Sequence, residues 1–144
     1  MILARAARGP VSAVLEAASR VVMRGSAFDL TLQLTIEPGC WIQSVRADRD
    51  SARATAVELG MAEGLMPGDM RFPEGSVDPL SGDRLRAYTG TVAIRVAVGV
   101  ASDCLPGPAP IAARILFQAT REGKVLEPDH LEIRTEVEVL ASAS

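Results

Sequence analysis

The stretch "LTLQLTIE", from Leu30 to Glu37, decides the fold. Apolar residues occupy every second position in it, and polar residues occupy the positions between them. Successive side chains of a β-strand point to opposite faces, so this alternation predicts a strand with one buried and one solvated face. Such half-buried strands are typical of antiparallel sheets. The apolar set is Leu30, Leu32, Leu34 and Ile36.

Four further stretches predict strands. Alternation recurs in "TVAIRVAVGV" at 91–100 and in "LEIRTEVEV" at 131–139, while "APIAARILFQA" at 109–119 and "CWIQSV" at 40–45 are more continuously apolar. Several short strands with turn residues between them predict an all-β chain folded as an antiparallel β-sandwich, in which two sheets bury their apolar faces together. The predicted core contains Leu32, Leu34, Trp41, Ile94, Val96, Ile115, Phe117, Ile133 and Val137.

Three segments are harder to interpret from the residues. Apolar positions in 11–22 fit helical spacing after Pro10 as well as a strand, and 54–59 fits either structure equally well. Residues 66–84 are rich in Pro, Gly, Asp and Ser, which predicts a long irregular connection pinned at its middle by Met70 and Phe72. We therefore predict a flexible N-terminal segment at 1–10, a single domain at 11–140 and a C-terminal tail at 141–144.

Composition excludes several classes of function. The chain has 144 residues, 48% hydrophobic and 23% charged, with a net charge of −3. Its basic residues are scattered, so no basic stripe is present for nucleic acid. No run of about 18 apolar residues occurs that would form a membrane segment in this chain.

Residues able to do chemistry are few. His130 is the one histidine and has no neighbouring ligands at metal-binding spacing, so we predict no metal site and no cofactor. Asp48 and Asp50 form a charged turn, which we interpret as solvated rather than catalytic. No glycine-rich phosphate-binding loop is present.

The two cysteines leave two interpretations open. Export of the chain would favour a disulfide between Cys40 and Cys104, whereas two free, buried thiols are equally consistent with the sequence. The pair does not form a Cys-x-x-Cys motif. Trp41, the one tryptophan, predicts core packing, and a surface contact for a partner is the alternative.

The order of four motifs resembles a known family. The motifs are "LTIEPGCWIQS" at 34–44, "MRFPEG" at 70–75, "AYTGTVAIRVAV" at 87–98 and "RILFQATREGKVLEP" at 114–128. Together they resemble the N-terminal, periplasmic domain of the DsbD thiol:disulfide interchange proteins, over 11–140. The resemblance implies an immunoglobulin-like sandwich, a periplasmic or other extracytoplasmic location, and strands at 11–22 and 54–59.

The resemblance fails at the residues that carry the family's chemistry. The positions that match its two redox cysteines are Thr120 and Val125. Thiol–disulfide relay needs a thiolate that attacks a disulfide sulfur, which neither side chain can supply. The leading hypothesis is therefore a non-catalytic binding or scaffold module of the cell envelope, with Trp41 and Phe72 as candidate contacts for a partner protein or domain. The alternatives are an exchange enzyme using Cys40 and Cys104, and a structural surface or assembly sandwich.

Overall fold

A computed structural model describes residues 1–43, 54–73, 76–77 and 86–141, with only the backbone of residues 76, 77 and 86. Within these residues the chain forms strands and no helix, which confirms the predicted all-β class. The strands are β1 (Ile2–Arg8), β2 (Val11–Glu16), β3 (Val21–Met23), β4 (Ala27–Ile36), β5 (Cys40–Gln43), β6 (Ala56–Met61), β7 (Leu65–Arg71), β8 (Ser76–Val77), β9 (Arg86–Tyr88), β10 (Thr91–Val100), β11 (Gly107–Phe117), β12 (Ala119–Arg121), β13 (Lys124–Val125) and β14 (Asp129–Leu140).

Sheet 1 has the strand order β1-β2-β4-β10-β7, and all its neighbouring strands are antiparallel. The alternating stretch at 30–37 lies in and just after β4, near the centre of this sheet, and all four of its apolar residues are buried. Leu32 lies opposite Ile94 on the core side. On the other face, the hydroxyl oxygens of Thr35 and Thr91 are 3.2 Å apart. The alternation in the sequence thus corresponds to a core face and a solvent face.

Sheet 2 has the order β3-β14-β11-β6, with β3 parallel to β14 and the other pairs antiparallel. The longest pairing joins β11 to β14 without interruption, from Gly107 opposite Val139 to Phe117 opposite Asp129. The apolar faces of sheets 1 and 2 form one core, the arrangement of an immunoglobulin-like β-sandwich. Each large aliphatic side chain fully buried there contributes about 1.5–3 kcal/mol.

One edge of the sandwich is closed by Arg20, which precedes β3. Its Nη1 donates to Thr135 Oγ1 at 3.1 Å and to the Glu136 carbonyl at 3.0 Å, both in sheet 2. Its Nη2 donates to the Leu3 carbonyl of β1 in sheet 1 at 3.1 Å, and the Thr135 hydroxyl donates to the same carbonyl at 3.2 Å. Arg20 therefore joins the two sheets through the backbone of the first strand.

Sheet 3 consists of short strands in the order β13-β12-β5-β9-β8. Its members follow β4 and β11 and precede β10, so sheet 3 lies at one end of the sandwich. We call this the hairpin end, after the β12–β13 pair. The opposite end contains the turns that follow β3, β6 and β10.

The secondary structure predicted for 1–10 and for the segments 11–22 and 54–59 needs correction. Residues 2–8, predicted to be part of a flexible segment, form β1, which pairs with β2 and buries Leu3. Mixed alanine and arginine residues hide this strand in the sequence. The helical alternatives at 11–22 and 54–59 are also wrong, because these residues contribute to β2, β3 and β6.

The predicted long connection at 66–84 begins instead as a strand. Leu65–Arg71 forms β7, which tolerates Pro67 because it is the edge of sheet 1. Met70 and Phe72 are partly buried against the core, as predicted. Residues 74–75 and 78–85 lie outside the described residues, as do Asp48, Asp50 and the tail at 142–144.

Trp41 is the exception in the predicted core. It is only partly buried, whereas the other eight predicted core residues are buried. Its strand belongs to sheet 3, outside the two large sheets that face each other across the core. One side of sheet 3 contributes Cys40, Ile42 and Tyr88 to the core, and Trp41 alternates to the other side.

Candidate functional site

A tight hairpin at the end of the sandwich forms the candidate site. β12 and β13 are joined by Glu122 and Gly123, whose φ angles are 51° and 80°. A two-residue loop with positive φ at both positions is a type I′ turn, whose twist matches that of the strands it joins. At the base of the hairpin, the Leu126 amide donates to the Ala119 carbonyl at 2.8 Å. The turn therefore fixes the register of the two strands.

That register brings Thr120 and Val125 together. They are directly opposite each other in the β12–β13 pair, so they share a face, and Thr120 is also opposite Trp41 of β5. Thr120 is buried, whereas Val125 is 41% exposed. Opposite residues in antiparallel strands have Cα atoms about 4.5–5.5 Å apart, within the roughly 4.4–6.8 Å that a disulfide spans. Here, however, the two side chains carry no sulfur.

The same face contains a buried amide that the sequence analysis did not single out. Gln43 follows Trp41 by two positions in β5, so both side chains lie on one face. Gln43 is 0% exposed, and neither its amide oxygen nor its amide nitrogen has a hydrogen-bond partner within the described residues. The Thr120 hydroxyl is also buried, and no other residue in the described part of the chain forms a hydrogen bond with it. Alternation in "CWIQ" predicts the face of Gln43, but its burial depends on packing that sequence does not reveal.

The opposite face of sheet 3 holds Cys40 and Arg121, which form a cross-strand pair. Arg121 Nε donates to Cys40 Sγ at 3.3 Å, and its Nη2 lies 3.2 Å from Glu37 Oε2. The hydrogen bond to Cys40 and the charge interaction with it raise the pKa of Arg121, and Glu37 adds a smaller effect. Arg121 therefore stays cationic beside the sulfur at any working pH.

The structure does not bring the two cysteines together. Both are free and buried. Cys40 lies at the hairpin end, whereas Cys104 follows β10 at the opposite end, where its Sγ is 3.9 Å from the Glu63 carbonyl. The ten residues of β10 separate these ends by roughly 30 Å, at ~3.3 Å per residue. The alternative of a Cys40–Cys104 disulfide is therefore wrong.

Cys104 fills a space that Gly64 leaves open. A Cβ added at Gly64 would lie 2.7 Å from Cys104 Sγ, and the φ of Gly64 is +96°, a conformation that favours glycine. Cys104 thus acts as a small apolar residue packed beneath a turn.

His130 is exposed at the start of β14. Its backbone amide donates to Asp129 Oδ1 at 2.8 Å, and Asp129 Oδ2 accepts from Arg8 Nε at 3.0 Å. These two interactions, the backbone hydrogen bond first, lower the pKa of Asp129 below its ordinary value of 3.8. Within the described residues, no group of three or more His, Cys, Asp or Glu side chains is placed to hold a metal ion.

Phe72 lies just after β7, beside Pro73, whose carbonyl accepts a hydrogen bond of 3.0 Å from the Tyr88 hydroxyl. Phe72 is thereby tied to β9 and is only partly buried. Across residues 1–43, 54–73, 76–77 and 86–141, no helix has the length and apolar character needed to span a membrane.

Solved structures include a likeness to this chain, whereas family models and curated proteins do not. No family model matches the chain, and no curated protein matches it either. Among solved structures, the chain is similar to the N-terminal domain of DsbD from Neisseria meningitidis in its reduced form, with a TM-score of 0.44 and 11% sequence identity. The alignment covers 95% of this chain and 84% of that one.

Proposed function

We propose that the chain is a non-catalytic binding or scaffold module of the cell envelope, resembling a DsbD N-terminal domain, that presents its hairpin end to a partner protein. The observation that carries this proposal is the register of Thr120 opposite Val125. These are the two positions that match the family's redox cysteines in the sequence. The hairpin that would hold such a pair is present, and the sulfur atoms are absent from it.

The properties of the surrounding face support a binding role. Trp41 is partly buried and Val125 is 41% exposed, which leaves apolar surface available for contact. Gln43 and Thr120 of the same face are buried, so the contact surface on this face comes from Trp41 and Val125. Phe72 lies at the same end of the molecule, because the carbonyl of its neighbour Pro73 accepts a hydrogen bond from Tyr88 of β9.

The enzymatic alternative would use Cys40 and Cys104. One observation bears on Cys40, namely the Arg121 guanidinium nitrogen 3.3 Å from its sulfur, because reactive cysteines occur in positively charged surroundings. Exchange through the pair would nevertheless require the two sulfurs to meet, and they lie at opposite ends of the sandwich. We therefore assign no catalytic residues.

A turnover assay tests the absence of redox activity. The natural chain should not accelerate the reduction of a protein disulfide by a small thiol, and Cys40→Ser and Cys104→Ser should leave the rate at the uncatalysed value. Catalysis that either substitution abolishes would overturn the proposal in favour of the enzyme. The variant Thr120→Cys/Val125→Cys serves as the comparison, because it restores two sulfurs to the hairpin.

A crosslinking experiment tests the binding role. A photoreactive amino acid is placed at Val125 and, as a matched control, at Leu140, which is also 41% exposed but lies at the end of β14 away from the hairpin. In a cell-envelope extract, the Val125 probe should yield a discrete adduct that excess natural chain suppresses. Equal adducts from both positions, or none from Val125, would contradict a binding site at the hairpin end.

A further inference from the structure

The edges of the two main sheets differ in how they are protected from pairing with another chain. An unprotected edge strand offers unpaired backbone N–H and C=O groups to any extended segment. In sheet 1, β7 is interrupted by Pro67 and by a register shift between Val96 and Val98, and the Leu3 carbonyl of β1 is occupied by Arg20 and Thr135. In sheet 2, β3 has only three residues. Each of these three edges is therefore blunted.

The fourth edge, β6, has none of these protections. It has six residues, contains no proline, and pairs with β11 without a register shift. Within the described residues, β11 is its only neighbour in sheet 2. Its outward residues, Ala56, Glu58 and Gly60, are all exposed. The edge is thus long enough, and regular enough, to accept one more strand.

The outer side of this edge carries one acidic residue of β6, Glu58, which is exposed. Arg114 of β11 lies between Glu58 and Glu132 of β14, and Glu132 also forms an ion pair of 3.2 Å with Arg134. The face is therefore balanced in charge overall, and Glu58 is the charge nearest the open side. Beside it, the small side chains of Gly60 and Ala112 leave a shallow groove of about 240 Å³. A positively charged side chain on an added strand would lie opposite Glu58 and complement it.

The inner side of the edge is apolar. Val57 and Leu59 of β6, together with Met70 of β7 and residues of sheet 1, line a narrow slot between the two sheets. Leu59 and Met70 are partly exposed, so the slot reaches the surface next to β6. An added strand whose inward side chains were apolar would cover them.

We propose that the β6 edge binds an extended segment of a partner protein, which adds to sheet 2 as a fifth strand. The segment alternates basic with apolar residues. Its backbone pairs with β6, a basic side chain faces Glu58, and its apolar side chains cover Leu59 and Met70. A second copy of this chain fits less well, because pairing β6 with itself brings two Glu58 carboxylates close together across the shared edge. The inference does not depend on the hairpin end.

Peptide binding tests this inference directly. The probe is a fluorescent peptide of about seven residues that alternates lysine and valine, which matches the length of an ordinary strand. One control peptide alternates glutamate and valine, and another has the lysines and valines grouped in two blocks. We expect the alternating lysine peptide to bind, the glutamate peptide not to bind, and hydrogen exchange of the bound chain to slow within Ala56–Met61.

Two charge reversals locate the site. Glu58→Lys should weaken binding of the lysine peptide about fivefold and should allow the glutamate peptide to bind, because one cross-strand charge pair changes sign. Glu138→Lys is the matched control, an exposed glutamate on the same face of sheet 2 in β14, away from β6, and should leave the affinity within about twofold. Equal binding of the alternating lysine and glutamate peptides, indifference to Glu58→Lys, protection outside β6, or a concentration-dependent dimer protected at β6 would each overturn the proposal.

Discussion

At the scale of single residues, Asp129 links the last strand of the sandwich to the first. Its carboxylate accepts one hydrogen bond from Arg8 of β1 and another from the His130 amide, and both interactions favour the ionised form. The pKa of Asp129 is therefore lower in the folded chain than its ordinary value of 3.8. A lowered folded pKa contributes stability above the ordinary value, and that stability is lost as the pH falls through the folded value.

Asp129→Asn should consequently destabilise the chain at pH 7 but not in strong acid. Because the ion pair is exposed, we expect the free energy of unfolding at pH 7 to fall by about 1 kcal/mol or less. The gap to the natural chain should narrow as the pH falls below the ordinary value of 3.8, and it should close in stronger acid, where the folded carboxyl is protonated as well. Urea unfolding at pH 7 and in acid measures this, with Glu138→Gln as a control. If the difference in the free energy of unfolding is unchanged in acid, the charge of Asp129 is not its cause.

Among the elements, the first strand depends on an interaction that the sequence does not reveal. β1 is an edge strand, and its Leu3 carbonyl is satisfied by Arg20 and Thr135 from across the sandwich. The sequence predicts that residues 1–10 lie outside the domain, because rules of periodicity and turn formation concern local patterns. Pairing with β2 and a guanidinium from a distant loop are non-local, so local rules could not have predicted them.

Arg20→Ala should lower the free energy of unfolding by about 1–3 kcal/mol, since it removes donors from three acceptors. Arg20→Lys should recover only part of the loss, because a single ammonium cannot reproduce the planar fork of a guanidinium. The control is Arg5→Ala, at an exposed position in β1. Hydrogen exchange should show β1 losing protection first in the Arg20 variants. Equal stability of Arg20→Ala and Arg5→Ala would argue against the interaction.

The hairpin depends on glycine at one position. Gly123 has a φ of 80°, in the region where a Cβ is strained, although no atom lies within 4 Å of the place where that Cβ would be. Gly123→Ala should therefore cost about 1 kcal/mol through backbone strain alone. Gly60→Ala, also free of steric contact but without a positive φ, should be neutral or slightly stabilising. Urea unfolding of both variants compares them, and equal effects would show that turn conformation does not limit the hairpin.

At the scale of the whole molecule, the sequence predicts the architecture wherever a strand buries one of its two faces. Leu30, Leu32, Ile94 and Ile133 are all core residues because period-two alternation reports burial directly. β7 was missed because Pro67 and Gly68 normally break strands, and an edge position makes them tolerable. Trp41 was misplaced because its size predicts burial, whereas its face in sheet 3 is decided by register.

The candidate site was predictable in part. The motif order in the sequence selected Thr120 and Val125, and the structure places them opposite each other in one hairpin. The sequence could not reveal the burial of the Gln43 amide or the contact of Arg121 with Cys40, which arise from strands distant in sequence. Both belong to sheet 3, whose strands are too short to give a clear periodic signal.

The most direct test of the account is the oxidation of Thr120→Cys/Val125→Cys, because two residues directly opposite each other in a hairpin should form a disulfide once both carry sulfur. Trypsin cleaves after Arg114, Arg121, Lys124 and Arg134, so a closed pair links the peptides 115–121 and 125–134. We predict that mild oxidant yields this linked product in the monomer, and that loop closure adds about 2 kcal/mol or less to stability. A folded variant in which both introduced thiols remain reduced would contradict the account.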